Sequence, residues 1–185
     1  MELKGERMLP ASREAAWRAL NDVEVLRAAV PGCEKIESTG PDTYDVAVNA
    51  AVGPVKTRFT GTLTLADVQA PESYTLRFDV RAGAAGFSRG EAHVQLHEVD
   101  TASTRMNYDV NASIGGKLAQ IGSRLVDAAA ATLADRFFAN LAMELAKRQP
   151  TIEATTMSDA PPQRQDSSGF WSAIIDFLKR LFGAK

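Results

Sequence analysis

The sequence predicts an α+β domain: an antiparallel meander of about seven strands, then one long helix, with a separate amphipathic segment at the C-terminus. Three observations carry this. Apolar and polar residues alternate with a period of two in five runs between Tyr44 and Asn111. At Gly115-Gly116 the period changes to steps of three and four and holds to Arg148. After an aperiodic polar stretch, Phe170–Phe182 carries the richest apolar patch of the chain. Alternation marks half-buried strands, and steps of three and four mark one face of a helix.

The elements follow in order. Leu3–Leu9 is a short strand candidate. Ser12 is placed to cap a helix carrying Ala15, Ala16, Trp17, Ala19 and Leu20, with Glu14 in its first turn. Asn21-Asp22 breaks it, and Asp22 can cap a second helix, Val23–Ala29, which ends at Val30-Pro31-Gly32 because proline cannot continue a helix. Cys33–Thr39 is a further strand. Tyr44 to Ala50, Val55 to Leu65, Tyr74 to Val80, Ala92 to Leu96 and Met106 to Val110 are then separated by turn signals at Gly40-Pro41-Asp42, Gly53-Pro54, Ala70-Pro71-Glu72 and Asp100. Clean alternation is the mark of an antiparallel sheet with one buried face. Leu118, Ile121, Leu125, Ala129, Leu133, Phe137, Leu141 and Leu145 then form the stripe of a single helix, expected to run about 30 residues or ~45 Å. Its Ala128–Ala131 run has little bulk and invites close approach.

Residues 149–168 contain Pro150, Pro161, Pro162 and many Ser, Thr, Gln and Asp residues, and are expected to be a disordered linker spanning ~25 Å. Residues 169–183 are expected to form an amphipathic helix. Phe170, Trp171, Ile174, Ile175, Phe177, Leu178, Leu181 and Phe182 fall in one arc of roughly 160°. At ~20 Å this helix is too short to cross a ~30 Å hydrocarbon core. Its aromatic residues and the excess of Lys179, Arg180 and Lys185 over Asp176 suit the surface of an anionic bilayer.

Composition narrows the function. The chain has 185 residues, 45% of them hydrophobic, enough for one core plus appendages. A formal net charge of −2 argues against nucleic acid. Cys33 is the single cysteine, which excludes an internal disulfide or a cysteine-based zinc site. Glu2, Lys4, Glu6 and Arg7 leave no apolar leader at the start, and no apolar run is long enough to span a bilayer, so a cytoplasmic location is expected.

Catalytic groups are sparse. His93 and His97, roughly 13 Å apart along a strand, are too far apart for one metal and alternate onto the solvent side. With both histidines outward, no Ser/His/Asp set forms. Gly115-Gly116-Lys117 lacks the spacing of a phosphate-binding loop and reads as a tight strand-to-helix turn. The inward residues, by contrast, carry no charge. Val46, Val48, Phe59, Leu63, Leu76, Phe78, Phe87, Val94, Met106, Tyr108 and Val110, with Leu118, Ile121 and Leu125 from the helix, are assigned to the interior. Tyr44 and Tyr108 are the candidate hydrogen-bond donors to a ligand head group. An apolar pocket with few polar anchors suits a lipid, isoprenoid or quinone. The Gly53, Gly83–Phe87 and Gly115-Gly116 turns are the expected mouth.

Several strings resemble the G-subunit family of carbon monoxide dehydrogenase, within the START-like, or SRPBCC, helix-grip superfamily. They are Trp17–Asp22, Val25–Cys33, Gly53–Lys56 with Phe59–Gly61, Ala85–Phe87 with Gly90, Gly115–Arg124 and Ala134–Phe138. The resemblance covers residues 1 to about 148. It implies a helix-grip fold, in which a curved antiparallel sheet wraps a long helix around an apolar cavity. It also implies a non-enzymatic accessory protein of a molybdenum-containing carbon monoxide dehydrogenase, peripheral on the cytoplasmic side of the cell membrane, without a metal or covalently bound cofactor. Joined to the cavity and the tail, it yields the expectation of a quinone or lipid carrier, a recruiter of the dehydrogenase to membrane lipid, or both. The alternatives are a recruitment or assembly factor with a filled core, and an enzyme of the cyclase or hydrolase kind.

Overall fold

The computed structural model describes residues 1–148. The expected linker at 149–168 and amphipathic helix at 169–183, with all eight of its proposed membrane-facing residues, lie outside the described residues. The elements are β1 (Glu2–Leu9), α1 (Arg13–Leu20), α2 (Val23–Ala29), β2 (Cys33–Gly40), β3 (Thr43–Val52), β4 (Val55–Gln69), β5 (Ser73–Arg81), β6 (Phe87–Asp100), β7 (Ser103–Gly115), α3 (Lys117–Gln120) and α4 (Ser123–Arg148). A short 3-10 turn, Gly83–Ala85, links β5 to β6.

All seven strands form one antiparallel sheet in the order β1-β7-β6-β5-β4-β3-β2. Six are a meander joined by tight turns, and β1 adds to the far side of β7, Leu3 opposite Val110 and Arg7 opposite Met106. The two edges, β1 and β2, are linked through α1 and α2, while α4 runs back against β1, β3 and both helices. This is the α+β helix-grip arrangement. Gly61 and Gly90 let the sheet curl. A Cβ on either would strike the backbone of the next strand, at Asp79 and Asn111 respectively, so neighbouring strands approach more closely there than a side chain permits.

The local signals act as the sequence implies. Ser12 Oγ accepts from the Ala15 N–H, and Asp22 Oδ1 accepts from Glu24 and Val25 at 2.8 and 3.2 Å, capping α1 and α2. Arg148 at the end of α4 reaches Asp22 at 2.7 Å, and Asn140 Nδ2 donates to Ala29 O at 3.0 Å, so α2 is fastened to α4 at both ends.

One helix becomes two. The expected continuous helix from Leu118 to Arg148 is interrupted at Gly122, whose φ of +94° is left-handed and closed to most side chains. α3 is a four-residue turn, and α4 begins afresh at Ser123.

The packed core lies toward the end carrying the β6–β7 turn and the C-terminal half of α4. There Leu9, Leu96, Leu141, Val25 and Thr104 are fully buried, and Thr104 Oγ1 donates to Ala11 O at 2.8 Å. Trp17 of α1 meets Tyr74 edge-on at 5.6 Å between ring centroids. Toward the middle and the opposite end, the concave side of the sheet is not filled.

Candidate functional site: an apolar cavity of two lobes

The space between sheet and helices forms two abutting lobes. The first, about 400 Å³, is bounded by α2, α4 and the middle of the sheet; the second, about 320 Å³, lies toward α3 and the start of α4. Val30, Ile36, Val48, Leu63 and Leu133 line both. No Asp, Glu, His, Lys or Arg lines either. Volumes of this size fit a ligand of a few tens of heavy atoms.

Strand alternation explains the apolar walls. Val46, Phe59, Phe78 and Leu118 line the second lobe, Leu76, Val94, Met106, Tyr108 and Val110 the first, and Val48 and Leu63 both. Ala129 and Ala130 face the second lobe, and their small side chains leave its volume open.

Three assigned residues line neither lobe. Phe87 is on the outer face of the sheet: Ser88, Ala92, Val94 and Leu96 point inward, so odd-numbered residues of β6 point out, and the Arg89 guanidinium lies over the Phe87 ring at 4.8 Å. Leu125 is half-exposed because the break at Gly122 resets the helical phase and brings Val126 inward instead. Ile121, in the same break, lies with Leu125 beside Gly53 of the β3–β4 turn. The turns expected to form the mouth pack on one another, Gly86 against Gly115 and Gly116.

The helical wall is the part that sequence reasoning misses. Leu20, Leu26, Val30 and Pro31 close the first lobe, as do Phe137 and Phe138 of α4. Val30-Pro31 is more than a helix stop; a turn with two bulky apolar residues between a helix and a strand is the available signal.

The polar residues are few: Asn21 and three tyrosines in the first lobe and Ser88 in the second. Tyr44, Tyr74 and Tyr108 all line the first lobe, and none of their hydroxyls has a hydrogen-bond partner among the described residues. Burial pushes the Tyr74 phenol well above its ordinary pKa, so it stays a neutral donor. Tyr108 stacks on Phe138 at 5.4 Å. Arg7 occupies an inward register position on β1, but it sits at the sheet edge over Phe138 and pairs with Asp135 on α4.

Nothing in this arrangement points to acid–base, nucleophilic or metal chemistry. His93 and His97 face outward; Thr75 Oγ1 lies 3.0 Å from His93 Nδ1. Burial raises the Cys33 thiol, the direction of an unreactive cysteine. Among the described residues no three metal-ligating side chains cluster, and no helix is long and apolar enough to cross a membrane.

Comparison with known proteins agrees with the fold and the motifs. The family model described as the G subunit of carbon monoxide dehydrogenase (CoxG) matches residues 5–146. No curated protein matches the chain. Among solved structures, a conserved protein from Geobacillus kaustophilus is 28% identical, with a TM-score of 0.75 over 80% of this chain and 96% of its own. The Zhui aromatase/cyclase from Streptomyces sp. R1128 is 12% identical, with a TM-score of 0.62 over 82% of this chain and 96% of its own. A START superfamily protein from Mycobacterium smegmatis is 10% identical, with a TM-score of 0.63 over 79% and 97%. The last two likenesses are of fold.

Proposed function

We propose, from the premise that this chain belongs to the CoxG family of carbon monoxide dehydrogenase accessory proteins, that it is non-catalytic and that its cavity holds a lipophilic molecule. The observation that carries this is the pair of abutting lobes walled by uncharged side chains, with unpaired tyrosine hydroxyls in the first. An empty apolar space in a protein interior forfeits dispersion contacts along its whole lining, and an apolar guest restores them. A molecule with a long apolar body and a carbonyl head would satisfy both lobes and phenols. An isoprenoid quinone has that chemistry and is a common electron acceptor at membranes, so a quinone is the ligand we favour.

The apolar arc of Phe170–Phe182 supports a peripheral membrane location, with the segment lying in the cytoplasmic leaflet rather than spanning it. In this reading the protein presents the dehydrogenase to the bilayer and moves the lipophilic molecule between them. A cyclase or hydrolase role finds little support, because among the described residues no titratable side chain other than the phenols lines the cavity.

The test is chemical. Full-length protein purified from its native membrane is extracted with organic solvent and the extract analysed by mass spectrometry. The expected result is a quinone or lipid in near-stoichiometric amount. Extracts with neither, from protein that is folded and membrane-derived, would sink the carrier reading.

A further inference from the structure

The described domain is strongly polarised in charge, although the chain as a whole is close to neutral. Three segments meet at the end formed by the β3–β4 turn, the Gly83–Ala85 turn and α3: residues 46–66, 80–90 and 110–126. None contains an Asp or Glu. Each supplies exposed cations: Lys56 and Arg58, Arg81 and Arg89, Lys117 and Arg124. The turns and strand ends at the opposite end carry Asp42, Asp67, Glu72, Glu98 and Asp100.

Five of the six cations at the first end, all but Arg58, also differ from most of the others. Lys4, Arg7, Arg13, Arg27, Lys35, Arg58, Arg77, Arg105, Lys147 and Arg148 all make ion pairs. Lys56, Arg81, Arg89, Lys117 and Arg124 make none among the described residues. Inside their ring the tip is small and apolar, with Gly53, Pro54, Ala84 and Ala119 exposed and Leu125 half-exposed.

We propose that this end of the domain is a docking surface for an anionic lipid bilayer. Basic side chains without ion-pair partners around an apolar tip match a negatively charged surface with a hydrocarbon interior, each contributing on the order of 1 kcal/mol near such a surface. The acidic turns at the far end are repelled, so the domain is oriented as well as attracted. A protein partner is the poorer fit. Protein interfaces concentrate their energy in aromatic and arginine anchors seated in pockets, whereas this tip exposes no Trp or Tyr and its arginines stand exposed. The second lobe lies directly behind it, lined there by Val52, Ile114, Leu118 and Val126. The inference rests on the membrane location proposed above but not on an occupied cavity.

The experiment uses the full chain carrying Trp171→Glu and Phe177→Glu, which silence the C-terminal segment, and vesicles of phosphatidylcholine with or without phosphatidylglycerol at low salt. The expected result is sedimentation with the anionic vesicles only, reversed by high salt. Adding Lys56→Glu, Arg81→Glu, Lys117→Glu and Arg124→Glu is expected to lower partitioning at least about ten-fold, with an unchanged unfolding midpoint. The four Gln substitutions are expected to give an intermediate loss. No anionic preference in the tail-silenced chain, or equal binding after charge reversal, overturns the proposal. So does charge reversal that spares vesicle binding but releases the dehydrogenase, which would give this end to an acidic protein surface. If the wild-type chain binds no vesicle at all, the membrane location itself fails; if it binds and charge reversal has no effect, only this inference does.

Discussion

The phenol ring of Tyr108 lies across Gly5 of the adjacent strand, and residue 5 has no room for a Cβ while the ring stays there. The backbone at Gly5 is not left-handed, so the constraint is steric. Gly5→Ala is expected to push the ring off Phe138 and into the first lobe. The expected loss is about 1–3 kcal/mol of stability, as for other overpacked sites, together with weaker binding of an apolar fluorescent dye. Dye affinity unchanged from wild type would show that the ring has another place to go.

Leu133 borders both lobes. In a filled core Leu→Trp costs roughly 1–3 kcal/mol. Here the indole has a void to enter, so Leu133→Trp is expected to cost less than about 1 kcal/mol in urea unfolding while blocking ligand uptake. A large destabilisation with binding intact would mean that the lobes are closed in solution.

Asp22 serves two partners, as cap of α2 and as acceptor from Arg148, and its carboxyl is held below the usual range, first by the Arg148 hydrogen bond and then by the Val25 N–H. A depressed carboxylate contributes stability above its unfolded value, near pH 4, and that contribution is lost as the pH falls through the lower folded value. Asp22→Asn keeps an effective cap and loses the charge. It is therefore expected to cost up to about 1 kcal/mol at neutral pH, as exposed pairs do, and progressively less on acidification. Asp22→Ala adds the cap loss of about 1 kcal/mol. An Asn variant whose deficit is the same at neutral and acid pH would contradict this assignment.

Deletion of residues 169–185 is expected to leave the domain folded, with the same unfolding midpoint, and to abolish flotation with vesicles at physiological salt. Flotation that survives at that ionic strength would assign membrane attachment to the domain alone.

The fold is legible in the sequence where a single periodicity runs uninterrupted. The alternation from Tyr44 to Val110 places nearly every inward strand residue, and Ser12 and Asp22 mark both short helices because their side chains satisfy specific N–H groups. Legibility fails where phase has to be carried across a break. Counting in fours from Ile121 leads to Leu125, but the left-handed turn at Gly122 makes Val126 the buried residue. Aromatic character alone points Phe87 inward, although the parity of Ala92 and Val94, extended back along β6, places it outside. The wall built by Leu26 and Val30 is hidden for a different reason. Which helix covers a sheet is decided by tertiary contacts far apart in sequence, such as Asn140 with Ala29.

The sheet is open between β1 and β2, and that gap is spanned by helices alone. Six seams of the container are sewn with continuous main-chain hydrogen bonds. The remaining one is held by side chains: the α2–α4 contact, with Arg148 on Asp22 and Asn140 on Ala29 as its two clasps. Widening any sewn seam breaks a ladder, whereas parting the clasped one exchanges a few contacts and leaves every strand paired. On the carrier reading, a guest is therefore expected to enter beside Leu26, Val30 and Phe137, and Asn140→Ala, which loosens one clasp, is expected to speed ligand exchange in a stopped-flow dye assay.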